Sequence, residues 1–248
     1  MDLLIGTSGF AYKAWYDIFY PKGLPSSGML RYYAEHFGAV EINSTFFRMP
    51  TEAALRQWAA DVPAGFRFAL KSPQLITHRK RLKEVDEPVA AFFRVSHALE
   101  THLGPLLFQL PPNFKKDLDR LEKFLDLVPK DARVAVEFRH QSWFDDDVFD
   151  ALRNHGAALC IAHGEDQDAP RVATTDWGLP APPPGHLYRC GAAGVGAIHP
   201  GPELVPGPCV LQARGHGYRA DPRATAERDL KGPSSMIPEA VHPHVWCG

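Results

Sequence analysis

Short apolar runs alternate with amphipathic stretches along the first 190 residues of the chain. The runs are Leu3–Ile5, Ala39–Phe47, Phe66–Leu70, Pro105–Leu110, Arg133–Phe138, Ala157–Ala162 and His186–Cys190. Most are nearly continuous rather than alternating, the pattern of parallel strands buried on both faces. Between them, apolar positions recur at helical spacing. Met29, Leu30, Tyr33, Ala34 and Phe37 follow a capping Ser26–Ser27. Thr51 opens a second helix carrying Leu55 and Trp58. Asp86 is expected to cap a third, with Pro88 in its first turn and Val89, Phe92, Phe93 and Leu99 on its face. Asp117 opens a fourth through Leu118, Leu121, Phe124, Leu125 and Val128, and Asp145–Asp147 a fifth that ends at Gly156. Strand followed by helix, repeated, predicts an α/β fold with a parallel sheet and crossover helices. Open and closed sheets share that pattern. A chain near the roughly 250 residues typical of such a domain favours a TIM-type (β/α) barrel over residues 1–190.

Polar residues interrupt these strands in one region of each. Glu41 and Asn43 lie two apart, on one side of the second strand, with Val40 and Ile42 on the other. Lys71 ends the third strand, Gln109 sits near the end of the fourth, and Glu137 and Arg139 share one side at the end of the fifth. All lie towards carboxyl ends, where a barrel places its active site. A buried charge must pair or face a solvated pocket. One reading is therefore an internal ion-pair network of Glu41, Glu137, Lys71 and Arg139. Convergence from four strand ends favours a functional pocket. The loops add Ser8, Gly9, Tyr12 and Trp15 after the first strand and Arg48 after the second. They also add His78, with the basic run Arg79–Lys83, after the third, and His140, Ser142 and Trp143 after the fifth.

Composition narrows the partners. A formal net charge of −2 argues against a bulk electrostatic binder of nucleic acid or membrane. Cys160, Cys190, Cys209 and Cys247 show no CxxC spacing, so neither zinc nor a disulfide framework is expected. His163, Glu165, Asp166 and Asp168 cluster without an HExxH pattern, and no GxSxG elbow is present. No metal and no cofactor is expected. MDLLIGTSGF lacks the basic region and apolar length of a signal peptide, and no run reaches the roughly 20 apolar residues of a membrane span. A cytoplasmic protein without membrane contact is expected.

After Cys190 the character changes. Gly and Pro supply 17 of the last 58 residues against 26 of the first 190, and no helical period survives in GAAGVGAIHPGPELVPGP. Residues 191–248 read as an irregular tail in place of the last barrel elements. One synonymous coding of Val210–Ala220, read one base later, encodes FFKHEGTGTG, which looks like a final strand and its polar loop. A frameshifted tail is the resulting expectation, and a barrel without its eighth strand would leave two open sheet edges.

The motifs IGTSGFAYKAW with FYPKGLP, VEINSTFFRMP, FALKSPQLITH, GPLLFQLPPNF and VAVEFRHQSWF occur in order over about residues 3–165. With them the chain resembles the YecE-like barrel proteins, domain of unknown function 72. The resemblance implies a TIM-type barrel whose pocket takes Glu41, Asn43, Arg48, Lys71, His78, Gln109, Glu137, Arg139 and Trp143. It implies no reaction. Such a family leads one to expect an acidic residue after the sixth strand, where this chain has His163.

Three functions remain in play. The first is an enzyme, a hydrolase or isomerase, acting on a small polar substrate that is sugar-like or phosphorylated. Glu41, Glu137, Lys71 and His78 would be catalytic, and Tyr12, Asn43, Arg48, Gln109, Arg139 and Trp143 would bind substrate. The second is a nucleic-acid-processing barrel using Arg79–Lys83 with Tyr12 and Trp15 as stacking surfaces. The third is a non-catalytic small-ligand-binding protein. The sequence leaves the oligomeric state open.

Overall fold

The computed structural model describes residues 3–160, 169–170, 172–177 and 243–247, with the side chains of Leu3, Ile5 and 243–247 left aside. Six strands run parallel: β1 (Leu3–Ser8), β2 (Ala39–Ile42), β3 (Arg67–Lys71), β4 (Leu103–Gln109), β5 (Val134–Glu137) and β6 (Ala158–Leu159). A seventh, β7 (Pro243–Cys247), joins the edge of β1 in antiparallel sense. The sheet order is β6-β5-β4-β3-β2-β1-β7. The fold is therefore α/β with a parallel six-stranded sheet. β7 also corrects the expectation of an open edge beside β1, because residues 243–247 pair with Leu3–Thr7. The rest of the expected tail, the seventh apolar run at His186–Cys190 and the cluster from His163 to Asp168 lie outside the described residues.

The crossovers are helical. α1 (Met29–Ala34) follows β1, and α2 (Ser44–Phe47) with α3 (Glu52–Ala60) follows β2. α4 (Asp86–Ser96) follows β3, α5 (Leu118–Leu125) follows β4, and α6 (Asp146–Asn154) follows β5. Thr51, Asp117 and Asp145 cap their helices as expected, each accepting a bond from a backbone N–H of the first turn. Asp86 does not: Val85 holds the cap position and Asp86 is the first helical residue, its carboxylate complementing the helix dipole instead. Gly156, at φ 64, ends α6 in the left-handed conformation glycine accepts without strain. The run Ala39–Phe47 is not one strand. It ends at Ile42, and Asn43 turns the chain into α2.

The two faces of the sheet differ. Val40, Ile42, Phe68, Leu70, Leu106, Phe108, Val134, Val136 and Leu159 face the helices and form the large core with Leu55, Phe92, Phe124 and Leu152. On the opposite face Ala39, Ala69, Leu107, Ala135, Ala158 and Cys160 form a smaller buried cluster against Leu4 and Trp177. Successive residues of a strand alternate between faces. The residue two positions after each apolar member of the second face therefore shares that face. Those residues are Glu41 after Ala39, Lys71 after Ala69, Gln109 after Leu107 and Glu137 after Ala135. One face thus carries an apolar layer followed, at the carboxyl ends, by a polar one.

Ser72, directly after this layer on β3, is buried with a hydroxyl that meets no hydrogen-bond partner among the described residues. An unsatisfied buried hydroxyl forfeits its hydration without return. Ser72→Ala is expected to raise stability by up to about 1 kcal/mol, read as a higher urea midpoint at unchanged slope. A lower midpoint would show the hydroxyl to be engaged.

Candidate functional site

Glu41, Lys71, Gln109 and Glu137 are all buried, at 4%, 3%, 7% and 1% exposure. Glu137 accepts on both oxygens: Gln109 donates from Nε2 to Oε2 at 2.7 Å, and Arg139 donates from Nε to Oε1 at 2.7 Å. Gln109 and Glu137 are register partners across β4 and β5, so the sheet itself sets the first bond. Arg139 lies two residues beyond Glu137 and keeps 33% of its side chain exposed, so it reaches from the buried carboxylate to the open side of the layer.

A second chain of bonds starts at Asn43. Its Nδ2 donates to Ser8 Oγ at 2.5 Å, and Ser8 Oγ donates to Glu41 Oε1 at 2.8 Å. The amide occupies an acceptor position of the hydroxyl and directs its proton onto the carboxylate. Ser8 and Glu41 are register partners of β1 and β2. Gly6 makes that pairing close, because a Cβ there would lie 2.0 Å from the carbonyl oxygen of Ala39. Tyr12 closes the loop above β1 by donating to the Ser8 carbonyl, its half-exposed ring tilted on buried Trp15 at 4.9 Å.

His78 comes from the segment Leu75–Arg79, a single π-helical turn. Such turns are frequent at functional sites, and the chain just beyond is strained: Arg81, Leu82 and Glu84 all have positive φ. Thr77 Oγ1 lies 2.9 Å from His78 Nδ1, which fixes the ring and leaves Nε2 as the other nitrogen. Phe46, from α2, packs edge-on to the imidazole at 4.8 Å, and Lys71 Nζ sits 5.0 Å from the centre of the same phenyl ring. Burial, then the positive charges of Lys71 and Arg139, pushes the His78 imidazole below its ordinary pKa, with Glu137 opposing. His78 is therefore neutral near pH 7 and able to accept a proton. Burial, then the carboxylates of Glu137 and Glu41, holds the Cys160 thiol well above its usual value, so this inward-facing cysteine stays protonated.

Ser8, Glu41, Asn43, Lys71, His78, Gln109, Glu137 and Arg139 are thus tied together through hydrogen bonds, the Phe46 ring and mutual electrostatics. Arg48 is exposed at the end of α2, and no hydrogen bond or ion pair among the described residues joins it to the others. Trp143 stands apart. It is fully buried in the helix-side core, stacked on Phe138 at 4.8 Å with its indole N–H donated to the Phe114 carbonyl at 2.6 Å. His140 and Ser142 form a turn that accepts the Lys116 backbone N–H at Ser142 Oγ, 2.8 Å. Phe46 is the member of the site that sequence reasoning missed, because a phenylalanine on an apolar run carries no chemical signal. Cys160 was weighed there only as a disulfide or zinc ligand. Among the described residues, no group of three or more His, Cys, Asp or Glu side chains is placed to hold a metal ion.

No helix of the described residues is long and apolar enough to cross a membrane. The solved structure of a DUF72 family protein from Thermotoga maritima is 33% identical to this chain, with a TM-score of 0.61, covering 69% of this chain and 70% of that one. A DUF72 family protein from Enterococcus faecalis, 22% identical with a TM-score of 0.54 over 60% of each chain, shares the fold. In sequence, the UPF0759 protein YecE of Escherichia coli strain K12 is 30% identical over 155 residues, 62% of this chain and 54% of YecE. The UPF0759 protein YunF of Bacillus subtilis strain 168 is 29% identical over 143 residues, 54% of this chain and 51% of YunF. The chain spans about half the length of the curated relatives it matches. A family model, protein of unknown function DUF72, matches residues 4–180, a span that holds the six parallel strands except Leu3, and every residue of the clustered site. The chain belongs to the DUF72 family, whose YecE-like members it resembled by motif.

Proposed function

We propose that residues 1–190 build the larger part of a TIM-type barrel, followed by an irregular tail, 191–248, of which residues 243–247 return to the edge of β1. On this reading the polar layer is an acid/base catalytic site for a small polar substrate, sugar-like or phosphorylated. The observation that carries this reading is the layer itself. Two buried carboxylates, a buried lysine, an anchored arginine and a neutral histidine share the carboxyl-end side of one sheet face. Parallel α/β sheets put their ligands at that end, whether open or closed. The bland alternative, a self-satisfied ion-pair network, accounts for Glu137 but not for a strained loop that holds a neutral imidazole beside two cations. In the proposed site Glu41 and His78 exchange protons with substrate, Lys71 and Arg139 stabilise developing negative charge, and Asn43 and Gln109 orient the carboxylates. Tyr12 and Arg48 flank the entrance, and Trp143 supports the fifth strand end from behind.

An unbiased metabolite screen on the full chain tests this, with Glu41→Gln as the control. The wild type is expected to deplete a small set of polar metabolites that Glu41→Gln leaves untouched. Depletion that is equal in both, or absent from the wild type, sinks the proposal.

A further inference from the structure

Among the described residues, the large apolar side chains left exposed are Tyr12, Ile18, Phe47 and Leu75, at 44%, 54%, 74% and 41% exposure. Their places are not scattered. Tyr12 follows β1, Phe47 ends α2 after β2, and Leu75 opens the turn after β3. These strands are neighbours in the sheet, so three adjacent carboxyl-end loops each hold one such residue out to solvent. Each is tied to the polar layer. Tyr12 donates to the Ser8 carbonyl, and Leu75 shares the π-helical turn of His78. Phe47 stands edge-on to Phe46 at 5.1 Å, and Phe46 meets the His78 ring at 4.8 Å and Lys71 Nζ at 5.0 Å. A run of rings therefore leads from solvent to the imidazole. Ile18 is different: it lines a separate surface hollow with Phe19, Tyr20 and Tyr32.

Single exposed apolar residues need no explanation, whereas three on adjacent loops around one polar layer do. Scaled by their exposure, Tyr12, Phe47 and Leu75 offer roughly 300 Å². A stable protein interface needs about 800 Å² from each partner. The exposed cations Arg48 and Arg79 also stand beside the patch in the chain, and interface cores exclude such charge. The area suits a single ring, which buries about 150–250 Å². We propose that Phe47 and Leu75, with the Tyr12 ring, form a ring-binding subsite at the mouth of the polar layer. The substrate then carries an aromatic or heteroaromatic ring beside the polar group that reacts. This rests on the site reading above and narrows its substrate class.

The full chain is labelled with 19F-phenylalanine, the Phe46 and Phe47 signals are assigned by single leucine substitutions, and indole is titrated as a neutral planar probe. Both signals are expected to shift saturably with a common midpoint of about 1 mM. Phe47→Ser, read at Phe46, is expected to weaken indole about tenfold, and Leu75→Ser about threefold. Ile18→Ser, the control, is expected to leave the midpoint unchanged. Cyclohexanol, which is apolar without being aromatic, is expected to bind several times more weakly than indole. No saturable shift, equal losses in Ile18→Ser and Phe47→Ser, or equal binding of cyclohexanol overturns the inference. Self-association in sedimentation that Phe47→Ser abolishes gives the patch to a second copy of the chain, and overturns it as well. Indole binding without any Glu41-dependent turnover keeps the subsite and sinks the catalytic reading. Glu41-dependent turnover confined to metabolites without rings does the reverse.

Discussion

Gly6→Ala is expected to lower the melting temperature by about 10 °C and to loosen the Ser8–Glu41 contact, although residue 6 touches no functional atom itself. The added Cβ would lie 2.0 Å from the Ala39 carbonyl oxygen and 2.5 Å from its carbon. Both are backbone atoms held in the β1–β2 register, so no side chain can rotate away. Overpacking of a core typically costs about 1–3 kcal/mol, and a clash between two strand backbones belongs at or above the top of that range. For a chain of this size about 3 kcal/mol is a shift of roughly 6–12 °C, a large part of a typical net stability of about 5–15 kcal/mol. The displaced strand carries Ser8 away from Glu41 two residues later, so the damage spreads from stability to the site. Gly65→Ala serves as the comparison: its Cβ would meet nothing within 4 Å, and a neutral or slightly stabilising result is expected there. Calorimetry of the two variants decides the matter. Equal melting temperatures for both would mean that β1 does not pack on β2 as closely as described.

The same two-residue step explains what could be read from sequence. Glu41, Lys71, Gln109 and Glu137 announce themselves because a charged or amide side chain inside an apolar run is conspicuous. The apolar layer beneath them does not. Ala39, Ala69, Ala135 and Ala158 are unremarkable in a string of letters, and only the pairing of β2 with β3 and of β5 with β6 gathers them on one face. Trp143 shows the opposite failure. An aromatic residue after a polar strand end reads as a binding group, yet the turn at Gln141–Trp143 carries its ring to the helix side, onto Phe138. Capping illustrates the finest scale: Asp86 and Asp117 look alike in sequence, and the backbone puts one in the helix and the other before it. The antiparallel pairing of β7 was illegible because its register depends on an edge of β1 more than two hundred residues earlier. Local pattern carries no information over such a distance.

His78→Gln is expected to lower turnover of the substrate found by screening about 100- to 10,000-fold, the usual contribution of a positioned acid or base. The substitution keeps a polar group of similar reach beside Thr77 and Phe46, so binding is expected to suffer less than turnover. The pH dependence carries the sharper signature. Because burial and the Lys71 and Arg139 charges lower the folded-state pKa, the imidazole becomes the active base at a pH below its ordinary midpoint near 6.5. Activity limited by this base should climb below pH 6.5 and be level at neutral pH. Stability must follow the same linkage. Between the depressed folded value and the ordinary unfolded one, His78 binds more protons in the unfolded chain, so its contribution to stability rises with pH through that window and is flat above it. His78→Gln should abolish the activity limb and remove the His78 contribution to the stability slope together, since one imidazole supplies both. Arg139→Lys, which preserves a cation near the ring, should leave the stability slope in place. An activity limb that survives in His78→Gln would assign the proton to Glu41 alone and remove His78 from the chemistry.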